Sequence, residues 1–202
     1  GFYFIAAGNP KNFTYVSYSG ETIFNSTYDY SYTPNSAIKP VYSQGRVIVA
    51  FSTSTTRIVS FNATTGALIK ATSLGSPDTK PGGSCSSSPN MKGEFILDED
   101  TGDIYLAASY SIYKYDTNNM LACSGRLQSK QYDPKTQPGL SKDYIYTTST
   151  STSRYYVYGM RKDSFGTGAF INILNIDTSN VKMFPATNAW NYFYTLTSQG
   201  NL

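Results

Sequence analysis

Residues 41–52 read VYSQGRVIVAFS, and residues 96–109 read ILDEDTGDIYLAAS. Each is a short strand, a tight polar turn that contains glycine, and a second strand, the pattern of a β-hairpin. The second strands, RVIVAFS and DIYLAAS, are apolar at almost every position instead of alternating. Alternation disappears when neither face of a strand meets water. Each hairpin must therefore sit between two other layers, and layers of one kind imply a stack of repeats.

The rest of the chain supplies the other copies. YTTSTSTSRYYVYGM starts at Tyr146, YTLTSQGNL starts at Tyr194, and the opening GFYFIAAG matches the second half of the unit, with Gly1-Phe2-Tyr3 aligned on Gly45-Arg46-Val47. A second pattern follows each apolar strand: VSYSGETIF from Val16, VSFNATTGALIKA from Val59, YKYDTNNMLACS from Tyr113 and LNIDTSNVKMF from Leu174. In most of these an Asn or Asp opens a turn, because its side chain accepts from backbone N–H groups two residues on. Two hairpins in succession make a four-stranded antiparallel unit, with strands A to D in order. The units expected are 1–33 plus 191–202, 37–74, 93–127 and 143–186, with Arg154–Met160 as the second strand of the fourth.

This "G-x-I-Y-x-A-S … I-x-x-[FY]-[ND]-x-x-T-G" repeat resembles the blades of quinoprotein-like and NHL-like β-propellers, and the resemblance covers the whole chain. It implies an all-β fold, a β-propeller of four-stranded antiparallel blades with four blade-equivalents in one domain. A two-sheet β-sandwich would also hold this many short strands, but it has no use for an aligned double hairpin. The resemblance implies no activity: Trp190, the single Trp, lies outside the repeat, and neither the Trp-Asp dipeptide of WD40 blades nor a hemopexin-type blade motif is present. The final strand, TLTSQGNL, aligns as strand A of the unit whose strands B to D open the chain. Pairing of the two ends would close a four-bladed ring; pairing with a neighbouring copy, or membership of a larger propeller, are the other readings.

Composition agrees with β structure and narrows function. The chain has 19 Tyr and 11 Phe, a charged fraction of 14% and a net charge of +3. Aromatic and β-branched residues suit a pleated surface. So small a charge excess gives no footing for nucleic acid, and no apolar run is long enough for a spanning helix. There is no His, which removes Ser-His-Asp and Cys-His hydrolysis and His-ligated zinc. Two Cys cannot supply a four-thiolate metal site, and there is no phosphate-binding glycine loop. The sequence calls for no metal, no cofactor and no catalytic set, and it leans away from an enzyme without excluding carboxylate or cofactor chemistry.

Four groups of residues remain as candidate sites. Asn12, Asn25 and Asn62 head N-x-[ST] glycosylation triplets. Cys85, in a loop, and Cys123, in an outer strand, are expected to form a disulfide that pins the long connection to the third unit. Tyr28, Tyr30 and Tyr32 alternate along one face of an extended segment and could stack on a sugar or anchor a protein. Lys80, Lys92, Lys130, Lys135, Lys142, Arg161 and Lys162 are expected on the face that carries the longer loops, as a mildly basic recognition surface. The acidic turn with Asp98, Glu99, Asp100 and Asp103 reads as a solvated hairpin turn. Together these point to a secreted or cell-surface, glycosylated, disulfide-bonded propeller that binds an extracellular protein, assembles, or associates with itself through its terminal strands. A carbohydrate-binding propeller is the alternative.

Overall fold

The computed structural model describes residues 1–5, 11–28, 39–51, 56–87, 89, 91, 94–125, 138–150, 155–167, 171–176, 186–187 and 193–194. The first sheet holds β1 (Phe2–Ile5), β2 (Lys11–Val16) and β3 (Thr22–Tyr28). The second holds β4 (Val41–Ser43), β5 (Arg46–Phe51), β6 (Arg57–Asn62) and β7 (Leu68–Ser73). The third holds β8 (Ile96–Leu97), β9 (Ile104–Ala108), β10 (Ser111–Tyr115) and β11 (Leu121–Cys123). The fourth holds β12 (Gly139–Leu140), β13 (Tyr144–Thr150), β14 (Tyr155–Arg161) and β15 (Ile171–Ile176). A two-stranded sheet of β16 (Ala186–Thr187) and β17 (Phe193–Tyr194) follows. All strand pairs in these sheets are antiparallel neighbours in chain order.

The apolar strands lie where their lack of alternation puts them. On β5, Val47, Val49 and Phe51 join the first sheet's Phe13, Tyr3 and Phe24 in one core, while Ile48 and Ala50 join the third sheet's Leu106, Tyr113 and Tyr115 in another. β9 repeats the arrangement one layer on. Ile104, Leu106 and Ala108 face the second sheet, and Tyr105 and Ala107 face Ile145 and Met160 of the fourth. Four sheets are thus stacked face to face in chain order, with β5 and β9 sealed on both sides. Phe13 stacks on Phe61 across the first interface at 4.4 Å. Burying each such ring contributes roughly 1.5–3 kcal/mol.

The turns are collected on one side of the stack. Gln44 and Gly45 both have positive φ (47° and 75°), the backbone a two-residue hairpin turn of matching twist requires. Ser43 Oγ donates to the Gly102 carbonyl at 2.7 Å, and the Ala63 N–H donates to the Gly45 carbonyl at 2.8 Å. Asn62 and Asp116 open the C–D turns as expected: Asn62 Oδ1 accepts from Thr64 and Thr65 N–H, and Asp116 Oδ1 from Asn118 and Met120 N–H. Arg46, 5% exposed, links neighbouring turns by donating Nη1 to the Asp116 carbonyl at 2.8 Å and to Asn119 Oδ1 at 3.1 Å.

Three features differ from the sequence alignment. First, the fourth sheet starts at Gly139, so Tyr155–Arg161 is its third strand and Tyr144–Thr150 its second. The turn Ser141-Lys142-Asp143 carries no glycine and its first strand spans two residues, so it lacked the hairpin signature. Second, the first sheet is offset by one residue: Tyr3 packs toward the second sheet, whereas Val47 packs back toward the first. A one-residue slip exchanges the two faces of a strand. Third, Phe193–Tyr194 pairs with Ala186–Thr187, and β1 pairs with β2 among the described residues; residues 195–202 lie outside them.

The Cys85–Cys123 disulfide is present. The connection it pins runs along β11: Thr79 bridges Ala122 in parallel, and Gly82 lies against the Ser124 carbonyl. Asp78 secures the same strip, accepting from Lys70 Nζ at 2.8 Å and from the Leu121 N–H at 2.7 Å. Burial pulls the Asp78 carboxyl upward, but the Leu121 N–H and the Lys70 ammonium outweigh it and hold the group below its ordinary value. A carboxylate depressed in the folded state stabilises above its unfolded pKa, and the contribution is lost as pH falls through the folded one. The gap in urea midpoint between wild type and Asp78→Asn should be full at about pH 6 and close as pH drops below about 3.9. A gap that is independent of pH would disprove this role.

Candidate binding site on the turn face

A hollow of about 200 Å³ opens between the turns of the third and fourth sheets, lined by Asp98, Asp100, Thr101, Lys142, Asp143, Arg161, Lys162 and Asp163. Three stretches build it. The β8–β9 turn supplies Asp98, Asp100 and Thr101; the β12–β13 turn supplies Lys142 and Asp143; the end of β14 and the turn after it supply Arg161, Lys162 and Asp163.

A buried ion pair ties the two sheets together beneath it. Lys162 Nζ donates to Asp98 Oδ2 at 2.7 Å, with 14% and 4% of the two side chains exposed. The Lys162 N–H also donates to the Asp143 carbonyl at 2.8 Å, fastening the turn after β14 to the β12–β13 turn. Phe165, in the same turn, packs on Tyr105 with ring centres 6.0 Å apart. Burial, and then the charges of Asp103 and Asp98, push the Tyr105 hydroxyl well above its ordinary value. Asp103 is buried as well and pairs with Lys114 at 2.6 Å. The acidic turn is therefore not a solvated loop: Asp98 and Asp103 reach inward to lysines, and Glu99 and Asp100 stay exposed.

The rim is solvated. Arg161 and Asp163 form a bidentate pair, Nε to Oδ1 at 3.1 Å and Nη2 to Oδ2 at 2.6 Å. The hydrogen bond from Arg161 holds the Asp163 carboxyl below its usual range. Lys142 and Asp100 are exposed beside this pair. Interleaved charges of both signs on two rigid hairpins can recognise a partner with the complementary alternation.

The basic residues proposed from sequence divide accordingly. Lys142, Arg161 and Lys162 come together at the hollow, on the turn face and not on the long-loop face, because the fourth sheet begins one strand earlier. Lys80 is exposed in the connection to the third sheet, away from the hollow. Lys92, Lys130, Lys135, Tyr30 and Tyr32 lie outside the described residues, as does the side chain of Tyr28. Asp98, Asp100, Thr101, Asp143 and Asp163 entered the site unforeseen as binding residues; the only sequence signal was that two of the turns supplying them are rich in charge.

No protein-family model matches the chain, and no curated protein matches it. Solved structures do. The crystal structure of BamB from Moraxella catarrhalis is similar over 100% of this chain and 56% of that one, at 14% identity and a TM-score of 0.56. The β-propeller domain of Cps50 (Swd1) from Myceliophteria thermophila is similar over 98% and 64%, at 11% identity and a TM-score of 0.53. Virginiamycin B lyase from Staphylococcus aureus is similar over 98% and 67%, at 14% identity and a TM-score of 0.51. The chain spans a little over half the length of the first of these.

Proposed function

With the fold that of a β-propeller, we propose that the chain is an extracellular, glycosylated binding module that engages a protein partner through the hollow between its third and fourth blades. The observation that carries the reading is the built, mixed-charge rim over a buried Lys162–Asp98 pair. Rigid hairpins on a stacked scaffold hold those charges in place, and complementary charge gives specificity and encounter rate. The Cys85–Cys123 bond supports an oxidising compartment, where such bonds persist. No helix among the described residues is long and apolar enough to cross a membrane.

The test is an array of secreted and cell-surface ectodomains, probed with wild type and with the double substitution Lys142→Glu, Asp100→Lys. Both residues are exposed rim positions, so the fold should survive. Saturable binding that weakens about tenfold or more, a change of about 1.4 kcal/mol, supports the proposal. Binders indifferent to the double substitution would refute it. A saturable, rim-dependent signal on a parallel glycan array, with none on the protein array, would transfer the site to the carbohydrate reading.

A further inference from the structure

The two glycosylation triplets of the first sheet are directly opposed across one strand pair. In the β2–β3 ladder Asn12 faces Thr27 and Thr14 faces Asn25, so the acceptor of each triplet sits beside the threonine of the other. Thr14 Oγ1 donates to Asn25 Oδ1 at 2.8 Å, and Thr27 Oγ1 donates to Asn12 Oδ1 at 3.4 Å. These four side chains share one face, since residues two apart on a strand point the same way. Phe13 and Phe24 occupy the other face, packed into the core with the second sheet, and Ser26 Oγ reaches the Thr65 carbonyl on that same side.

That far face breaks the pattern of the stack. On the second sheet the face turned back toward its predecessor presents Val59 and Phe61, each 1% exposed. On the third it presents Tyr113 and Tyr115, fully buried. On the first sheet the outer strands β2 and β3 present amides and hydroxyls there, with Asn25 and Thr27 exposed and Asn12 and Thr14 half-exposed, while Phe2 of β1, 57% exposed, lies on the same face. A neighbouring sheet that packed on these two outer strands would bury amides and hydroxyls instead of the apolar surface that is the main favourable term in such packing.

We propose that Asn12 and Asn25 are paired N-glycan acceptors and that the outer strands of the first blade, β2 and β3, form a glycan-covered wall. The inference rests on the secretory reading above. In each asparagine Oδ1 is taken by the opposing threonine, while Nδ2 is the atom that reacts. It forms a bond to C1 of a lipid-pyrophosphate-linked oligosaccharide; the C1–O bond to the pyrophosphate breaks, its electron pair leaves with the lipid pyrophosphate, and one Nδ2 proton is lost to base. Nothing is oxidised or reduced, and Oδ1 remains available to its threonine afterwards.

Two measurements test it. Single Thr27→Cys and Thr72→Cys variants, produced unglycosylated and oxidised so that Cys85 and Cys123 remain bonded, are labelled with a maleimide. Both positions lie on outer strands, β3 and β7, but Thr72 sits opposite Ile58 on the face covered by the third sheet and is 6% exposed. Thr27→Cys should react on the order of 100-fold faster, because Thr72→Cys must wait for local opening; equal protection would mean that another sheet covers the wall and would overturn the proposal. Peptide mass spectrometry on protein from its native source should find glycan on Asn12 and Asn25. Glycan on Asn62 with both of these bare sinks this inference and leaves the secretory reading standing. All three bare sinks both.

Discussion

Replacing Cys85 and Cys123 together with serine is expected to lower the stability of the fold by about 4 kcal/mol. The bond closes a loop of 38 residues, and restricting an unfolded loop of that length is worth about 4 kcal/mol by chain entropy. In a protein of this size that is a fall in Tm of roughly 8–16 °C. Non-covalent contacts along the same strip are weaker individually. The Thr79 N–H donates to the Leu121 carbonyl at 3.1 Å and the Cys123 N–H to the Thr79 carbonyl at 3.0 Å, each worth about 1 kcal/mol net. The double serine variant should therefore fold, with the Thr79 strip still docked and the part beyond Gly83 loosened. Thermal melts with and without reductant check the magnitude, and amide exchange at residues 79–87 checks the location. A Tm that moves by less than about 2 °C in both the variant and the reduced wild type would show that the bond contributes far less than its loop length implies.

Much of this architecture is legible in short stretches of sequence, and the parts that are not share a cause. Arg46–Phe51 and Ile104–Ala108 announce burial on both faces because a strand has a period of two and these runs ignore it. Asn62 and Asp116 announce turns because the bonds they make are local. Ser141-Lys142-Asp143 announces nothing: it turns without glycine, and the Tyr- and Thr-rich strands on either side of residues 151–154 look alike, so the alignment slipped by one strand. At Tyr3 a slip of one residue reversed the faces, which hid the side of the sheet that Asn12 and Asn25 occupy. The site was less legible still. Its charges meet across 64 residues of chain at Asp98 and Lys162, and composition cannot tell a buried carboxylate from the exposed Glu99 beside it.

That same pair should give a large and asymmetric response. Lys162→Met leaves Asp98 4% exposed with its ammonium partner gone, and an uncompensated buried charge costs about 3–5 kcal/mol. Asp98→Asn should cost less, about 1–2 kcal/mol, because a lysine head on a flexible stem can turn toward the open hollow above it. Replacing both, Asp98→Leu with Lys162→Met, should recover most of the loss of the lysine variant, since apolar groups of similar volume often do as well as a buried ion pair. Urea midpoints of the wild type, Lys162→Met, Asp98→Leu and the doubly substituted protein measure this as a double-mutant cycle, and a coupling below about 0.5 kcal/mol would show that the two charges act independently. The consequence reaches the binding face. Lys162 fixes the turn that carries Asp163 and Phe165 onto the third sheet, so the doubly apolar protein should be stable yet hold that turn without the charge that orients it. Stability and binding would then separate: a partner that needs the rim in register should bind the doubly apolar protein more weakly than wild type, although both are fully folded.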